Sequence, residues 1–335
     1  ARNKPQISHA INPCPLLYIM SASAERYLHT HGVEGALAGA IARALRERPQ
    51  DPLGAIAGWL LSSSSSSRDG QSLPPCVTTP ATTTVGALLA EAEGGTLGTR
   101  LAALGLEASR ASSFASAARR LLAAGVDPGA RANAFWVPGR IEVLGKHTDY
   151  AGGRSLLCAV NRGFSVVSAE RADAVCRVLA SFELTGTTDE AAIALSASPD
   201  AARPDGWAMY PAVTAARLAR NFGLAGGVDL ALACDLPEAS GMSSSSAVII
   251  ATFLSLSARN RLADNPNFRS WLPTAEELCH YLGCIENGQD CGAHLPGDAG
   301  VGTFGGSEDH TAILLCRRAE LRASTRAQPA WLDLT

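Results

Sequence analysis

Apolar residues recur at helical spacing in some stretches of the chain and at strand spacing in others. Val33, Leu37, Ile41 and Leu45 return every four residues, with Ala36, Ala40 and Ala44 beside them. That is the stripe of an amphipathic helix with a narrow, small-residue face. Asp51 can cap a second helix with Pro52 at its first position, and Leu53, Ile56, Ala57, Leu60 and Leu61 form its stripe. Two short helices cannot bury both stripes alone, so a hairpin over residues 24–61 needs a partner, most simply a second copy. Residues 1–23 are a tail. Residues 62–85 carry a serine run, Pro74, Pro75 and many threonines, and predict a flexible linker. Residues 86–130 are rich in alanine and leucine, and Phe114, Ala118, Leu121 and Leu122 predict a helical face turned to a core.

From about residue 131 the spacing changes. Ile141 and Val143 alternate like a strand, residues 164–168 and 175–179 predict two more, and Val228, Leu230, Leu232, Cys234 and Leu236 predict a fourth. Residues 207–221 read as a helix between them. Thr274 and Glu277 form a capping box that opens a helix with Leu278, Leu282 and Ile285 on one face.

Composition narrows the function classes. A chain of 335 residues with 47% hydrophobic content is enough for about two domains. A net charge of −3 with 18% charged residues offers no basic surface for nucleic acid. No apolar run is long enough to span a bilayer, so no membrane partner is expected. No signal peptide is visible, and the odd number of cysteines, 9, suits a reducing compartment, so a cytoplasmic location is expected. Cys279, Cys284, Cys291, His280 and His294 lie close in sequence, but their spacing matches none of the usual zinc pairings. Buried thiols are the expectation there.

The candidate chemistry centres on residues 137–153, VPGRIEVLGKHTDYAGG. A strand there delivers Lys146, His147, Thr148 and Asp149 to its end, as a site for a polar small molecule requires, although an ordinary polar loop would look the same. GRIEVLGKHTDY resembles the galactokinase signature of the GHMP sugar-kinase superfamily, roughly GRxNLIGEHTDY, with Lys146 in place of a glutamate. Residues 236–251, LPEASGMSSSSAVIIA, predict a strand end, a Gly/Ser turn and an apolar helix whose N-terminus suits an anion. Gly241 would let a phosphate approach, and Ser243, Ser244, Ser245 and Ser246 would add hydroxyl donors or a magnesium ligand, beyond what a serine cap needs. This segment resembles the GHMP ATP-binding motif PxGxGLSSSA, with Glu238, Ala239 and Ser240 diluting its glycines.

The resemblance implies further roles. Trp207 would lead a helix flanking the nucleotide, although a core tryptophan reads equally well. In galactokinases a glutamate on the corresponding helix binds Mg²⁺, which places that role on Glu286, with Ser244 as its hydroxyl partner; a solvated glutamate is the plain alternative. Residues 300–315, GVGTFGGSEDHTAILL, resemble the galactokinase segment GIMDQ, which makes Asp309 the catalytic base and sets Gly306 at the sugar. Glu308 and His310 are its neighbours and could be confused with it. An insert around 291–297 makes the position of Glu286 less secure than that of Asp309. Reading GVGTFGG as the superfamily's third glycine-rich motif fits the chain order less well.

The expected fold is α+β: a GHMP-kinase N-terminal domain over 131–335, a ribosomal protein S5 domain 2-like sandwich, preceded by the helical hairpin. The third glycine-rich motif is not evident before Thr335, so a C-terminal lobe is expected to be missing or incomplete. The implied activity is ATP- and Mg²⁺-dependent phosphorylation of a hydroxyl, the anomeric one in galactokinases, on galactose, a related sugar or a uronate. Asp309 and Arg140 would be catalytic, and His147 and Asp149 would grip sugar hydroxyls. Lysine cannot accept a hydrogen bond, so Lys146 points away from plain galactose. The other class of reading is a non-catalytic sugar and nucleotide sensor. Tyr27, Leu28 and residues 47–61, ERPQDPLGAIAGWLL, resemble the Dpy-30/RIIα dimerisation and docking module, which implies a homodimer or an amphipathic-helix partner through 24–61.

Overall fold

The computed structural model describes residues 83–145, 154–196, 204–237, 240–316, 320–325 and 330–333, together with scattered residues of 40–56. Most of the predicted hairpin, nearly all of the linker, and Lys146, His147, Asp149, Glu238 and Ala239 lie outside the described residues. Ala40 and Ala44, from the first predicted stripe, are helical and buried.

The described strands form one mixed sheet. They are β1 (Thr83–Thr84), β2 (Arg131–Leu144), β3 (Arg154–Glu170), β4 (Val175–Phe182), β5 (Thr187–Ala194), β6 (Val228–Cys234), β7 (Glu320–Thr325) and β8 (Ala330–Asp333). Their order is β1-β2-β3-β6-β4-β5, and β7, carrying β8, pairs with the start of β3. Among the described strands, only β4 and β6 run parallel. Such a pair needs a long crossover, which β5 and helix α4 (Met209–Phe222) supply.

All seven residues of β6 are buried, because helices cover both faces of the sheet. The alternation read in its sequence is one of size rather than of polarity. Leu230 and Leu232 share a core with Val166, Val178, α4 and α5 (Ser244–Asn260). Ala231 and Ala233 face the other way, beneath α1 (Val85–Glu93), α2 (Thr96–Ala103) and α3 (Ala111–Ala123). Small side chains there let α3 come close, and Phe114, Ala118 and Leu121 fill the gap. The helical stretch before residue 131 is therefore one layer of the same core.

Helix α5 is buried from Ser246 to Ser257. Two of its interior hydroxyls are satisfied within the helix: Thr252 donates to Val248 O and Ser255 to Ala251 O, each at 2.8 Å. Helices α6 (Pro266–Trp271), α7 (Ala275–Asn287) and α8 (Glu308–Leu315) complete that side, and α7 opens with the predicted Thr274/Glu277 capping box. Among the described residues, no helix is long and apolar enough to cross a membrane.

Candidate active site

Three elements far apart in sequence meet at one place: the middle of β2, the turn before α5 and the first turn of α8. The register of β2 against β3 slips between Pro138 and Arg140. Such bulges re-aim side chains next to functional sites. At the slip, a Cβ on Gly139 would lie 2.7 Å from Leu236 Cδ2 and 2.8 Å from the Met242 carbonyl. Glycine therefore lets the strand press against the serine-rich turn, and the Arg140 backbone N–H donates to Met242 O at 3.1 Å.

The Arg140 side chain then ties all three elements together. Its Nη1 donates to Gly241 O at 2.5 Å and its Nε to Asp309 Oδ1 at 2.6 Å. The second carboxylate oxygen of Asp309 accepts from Ser243 Oγ at 2.5 Å. Ser243 caps α5 with φ 53°, a left-handed conformation uncommon for serine. Three residues on, one helical turn along the same face, Ser246 donates to Glu286 Oε2 at 2.8 Å and lies 3.5 Å from Asp309 Oδ2.

The first turn of α8 sends consecutive side chains in three directions. Glu308 is buried and accepts from Ser155 of β3. Asp309, about a quarter exposed at 24%, faces Arg140 and the serines. His310 is buried, with Nε2 3.3 Å from Glu286 Oε2. The neighbours that sequence alone could confuse with Asp309 are thereby separated from it. Both acidic residues also sit at a helix N-terminus, which favours negative charge.

Glu286 is 9% exposed, so the alternative of a solvated glutamate is overturned by burial. The hydroxyl that meets it belongs to Ser246, whereas Ser244 is exposed. The expected pairing of Ser244 with Glu286 is corrected by helical phase: four serines in a row look alike, but they point in different directions around α5. Tyr210, at the start of α4, was not anticipated. Burial, and then the charge of Glu286, push its hydroxyl pKa up. Glu286, Asp309, Ser243 and Ser246 form an oxygen-rich donor set beside a helix N-terminus, and this fits a small hard cation such as Mg²⁺.

The remaining expected residues are spread more widely. Gly241 forms the turn with φ 70°, and Ser245 is half-buried at the second position of α5. The Gly306 carbonyl accepts from Asn287 Nδ2 at 3.4 Å, which packs the approach to α8 against α7. Trp207 is half-buried in a single 3-10 turn, and its Nε1 donates to Asp189 of β5 at 2.6 Å.

The model for the galactokinase galactose-binding signature matches residues 128–169, and that for the GHMP kinases N terminal domain matches residues 209–306. The likeness is to galactokinases. A galactokinase of Clostridium perfringens is 31% identical over 130 residues, covering 36% of this chain and 33% of that one. One from Exiguobacterium sibiricum is 36% identical over 117 residues, covering 34% and 29%. Among solved structures, Lactococcus lactis galactokinase complexed with galactose aligns over 60% of this chain and 47% of its own, at 22% identity and a TM-score of 0.45. Methanococcus jannaschii mevalonate kinase aligns over 59% and 54%, at 11% identity and a TM-score of 0.39. The chain thus spans about a third of the length of the curated relatives it matches.

Proposed function

We propose that the protein is an ATP-dependent sugar kinase of galactokinase type, acting on galactose, a related sugar or a uronate. The observation that carries this reading is Asp309, clamped by Arg140 on one oxygen and met by Ser243 on the other, at the head of α5. A sugar hydroxyl is a very weak acid, so its proton needs an acceptor within hydrogen-bond reach as it leaves. Asp309 Oδ2 is that acceptor. Arg140 fixes Oδ1, and the Ser243 hydroxyl marks the place where a donor hydroxyl binds. When bound, ATP supplies the phosphoryl group, and Mg²⁺ supplies positive charge beside its phosphates. Glu286 with Ser246 is the pair that would hold the ion, with Ser244 exposed at the mouth of the turn. The backbone at the start of α5 offers N–H groups to the phosphates. Arg140, anchored to Gly241 O, places positive charge beside the same turn.

Lys146, His147 and Asp149 remain the candidates for gripping the sugar, and Lys146 for selecting an anionic or modified one. The test is ATP consumption measured over a panel of neutral sugars and uronates. Turnover that depends on one sugar and is lost in Asp309→Asn supports the kinase. Sugar or nucleotide binding without turnover supports the sensor instead. Lys146→Glu should move the preference toward galactose, and an unchanged profile would remove that role from Lys146.

A further inference from the structure

Around α7 the structure gathers three side chains whose spacing in sequence argued against a metal. His280 and Cys284 stand one helical turn apart, with Cys284 Sγ 3.7 Å from His280 Nε2. Cys291 returns from the following loop, and the ligand atoms of His280, Cys284 and Cys291 all lie within 4.8 Å of one another. Two thiols and an imidazole around one point are the donors that zinc prefers, and tetrahedral bonds of about 2.0–2.3 Å put neighbouring donor atoms roughly 3.5–3.8 Å apart. The two other residues of the sequence cluster are engaged elsewhere. Cys279 Sγ reaches His310 O at 3.7 Å, and the His294 ring stacks on Trp271 with centroids 5.2 Å apart.

The loop that brings Cys291 back is firmly built. Gln289 N donates to Cys284 O at 3.0 Å, and Cys291 N to Leu295 O at 2.9 Å. Fully buried Arg217 of α4 donates to Gln289 O at 2.7 Å and to Leu295 O at 3.2 Å. Arg220 donates to Pro296 O at 2.7 Å. Two arginines from a neighbouring helix thus fix the turn that positions the third donor.

We propose that His280 Nε2, Cys284 Sγ and Cys291 Sγ bind one zinc-class ion, with the fourth position open to water, and so staple the 288–300 loop to α7. The sequence reading could not reach this, because a His–Cys pair at helical spacing and a cysteine seven residues on match no familiar zinc pattern. The site does not depend on the kinase reading, and its test reads metal rather than turnover.

The reduced protein is titrated with Co²⁺, followed by the thiolate-to-cobalt absorption of a tetrahedral site, and then with Zn²⁺. One Co²⁺ per chain, displaced by Zn²⁺, is expected. Losing an outer partner of a metal site already costs about 10–100-fold in affinity, so losing a ligand should cost about 100-fold or more. Cys291→Ser and the half-buried His280→Gln should each weaken Co²⁺ binding by that much, and Cys316→Ser should leave it unchanged. Zn²⁺ should also raise the melting temperature of the native chain but not of His280→Gln, a readout that survives if Cys291→Ser fails to fold. No thiolate-to-cobalt band in the native chain, or a band kept in His280→Gln, overturns the proposal.

Discussion

Among the aspartates that pair with arginine, Asp229 and Asp309 are built for opposite ends. Asp229 on β6 is 7% exposed at its side chain and accepts from Arg171, at 2.9 Å, and from Arg177. Those arginines are spent on structure: Arg171 also holds Asp173 at 2.8 Å, and Arg177 holds the Ala124 carbonyl at the end of α3 at 3.2 Å. Two cations lock Asp229 among strand ends and a helix end. Asp309 is 24% exposed, and it has one cation on one oxygen and hydroxyls on the other. A hydroxyl can be exchanged for a substrate's at little cost, whereas a second guanidinium cannot. An aspartate–arginine pair therefore says little by itself. Both guanidiniums of Asp229 converge on its Oδ1, so what the carboxylate meets besides its first arginine, a second cation or a hydroxyl, separates a fastening from a reaction site.

The strongest way to break this distinction is to neutralise each carboxylate. Asp309→Asn should lower sugar-dependent ATP consumption by about 10²–10⁴-fold, the usual worth of a positioned base, and Asp229→Asn should leave the rate of the folded protein unchanged. Equal losses of rate would erase the difference. In urea the order should invert. Asp229→Asn should lose about 1–3 kcal/mol, because Arg177 loses the carboxylate it pairs with and Arg171 keeps only Asp173, while Asp309→Asn should change stability by less than about 1 kcal/mol, because Arg140 keeps the Gly241 carbonyl and Glu142 at 3.9 Å. Ser246→Ala tests a residue that touches both Glu286 and Asp309. It should cost about 1 kcal/mol of stability, the net worth of one buried hydrogen bond, with the Ser243 bond to Asp309 kept. The smallest effect belongs to Asp189, where the Trp207 indole N–H holds the exposed carboxyl below its ordinary value. A depressed folded pKa means that the contribution is complete above the unfolded value of about 4 and is lost as pH falls through the folded one. Tryptophan fluorescence should change below about pH 4 in the native chain, and that change should be missing in Asp189→Ala.

Much of the site could be read without coordinates, and the reasons are physical. Arg140 and Asp309 stand in segments with several glycines and Ser243 in a Gly/Ser turn, each beside an apolar run, where backbone bends next to a rigid element. The α7 capping box was legible because its hydrogen bonds are local in sequence. The strand β5 was not legible. Its residues TTDEAAIA include exposed threonines and acids, since an edge strand can be held by the backbone of a single neighbour without an apolar face. Nor could sequence say which serine reaches inward, because Ser244 and Ser246 differ only in their angle about the α5 axis. The second face of β6 was hidden for a related reason. Ala231 and Ala233 look unremarkable until α3 is seen lying on them.

The crowding of Glu308, Asp309 and His310 onto one turn of α8 makes that helix frame-sensitive. Adding or removing a single residue in the approach over 301–307 would rotate it by about 100° and offer the serine turn an anchor or an imidazole where a proton acceptor stood. Length variation should therefore be tolerated poorly there, even though exchanges of side chain at exposed Thr303 or Phe304 should pass with little effect.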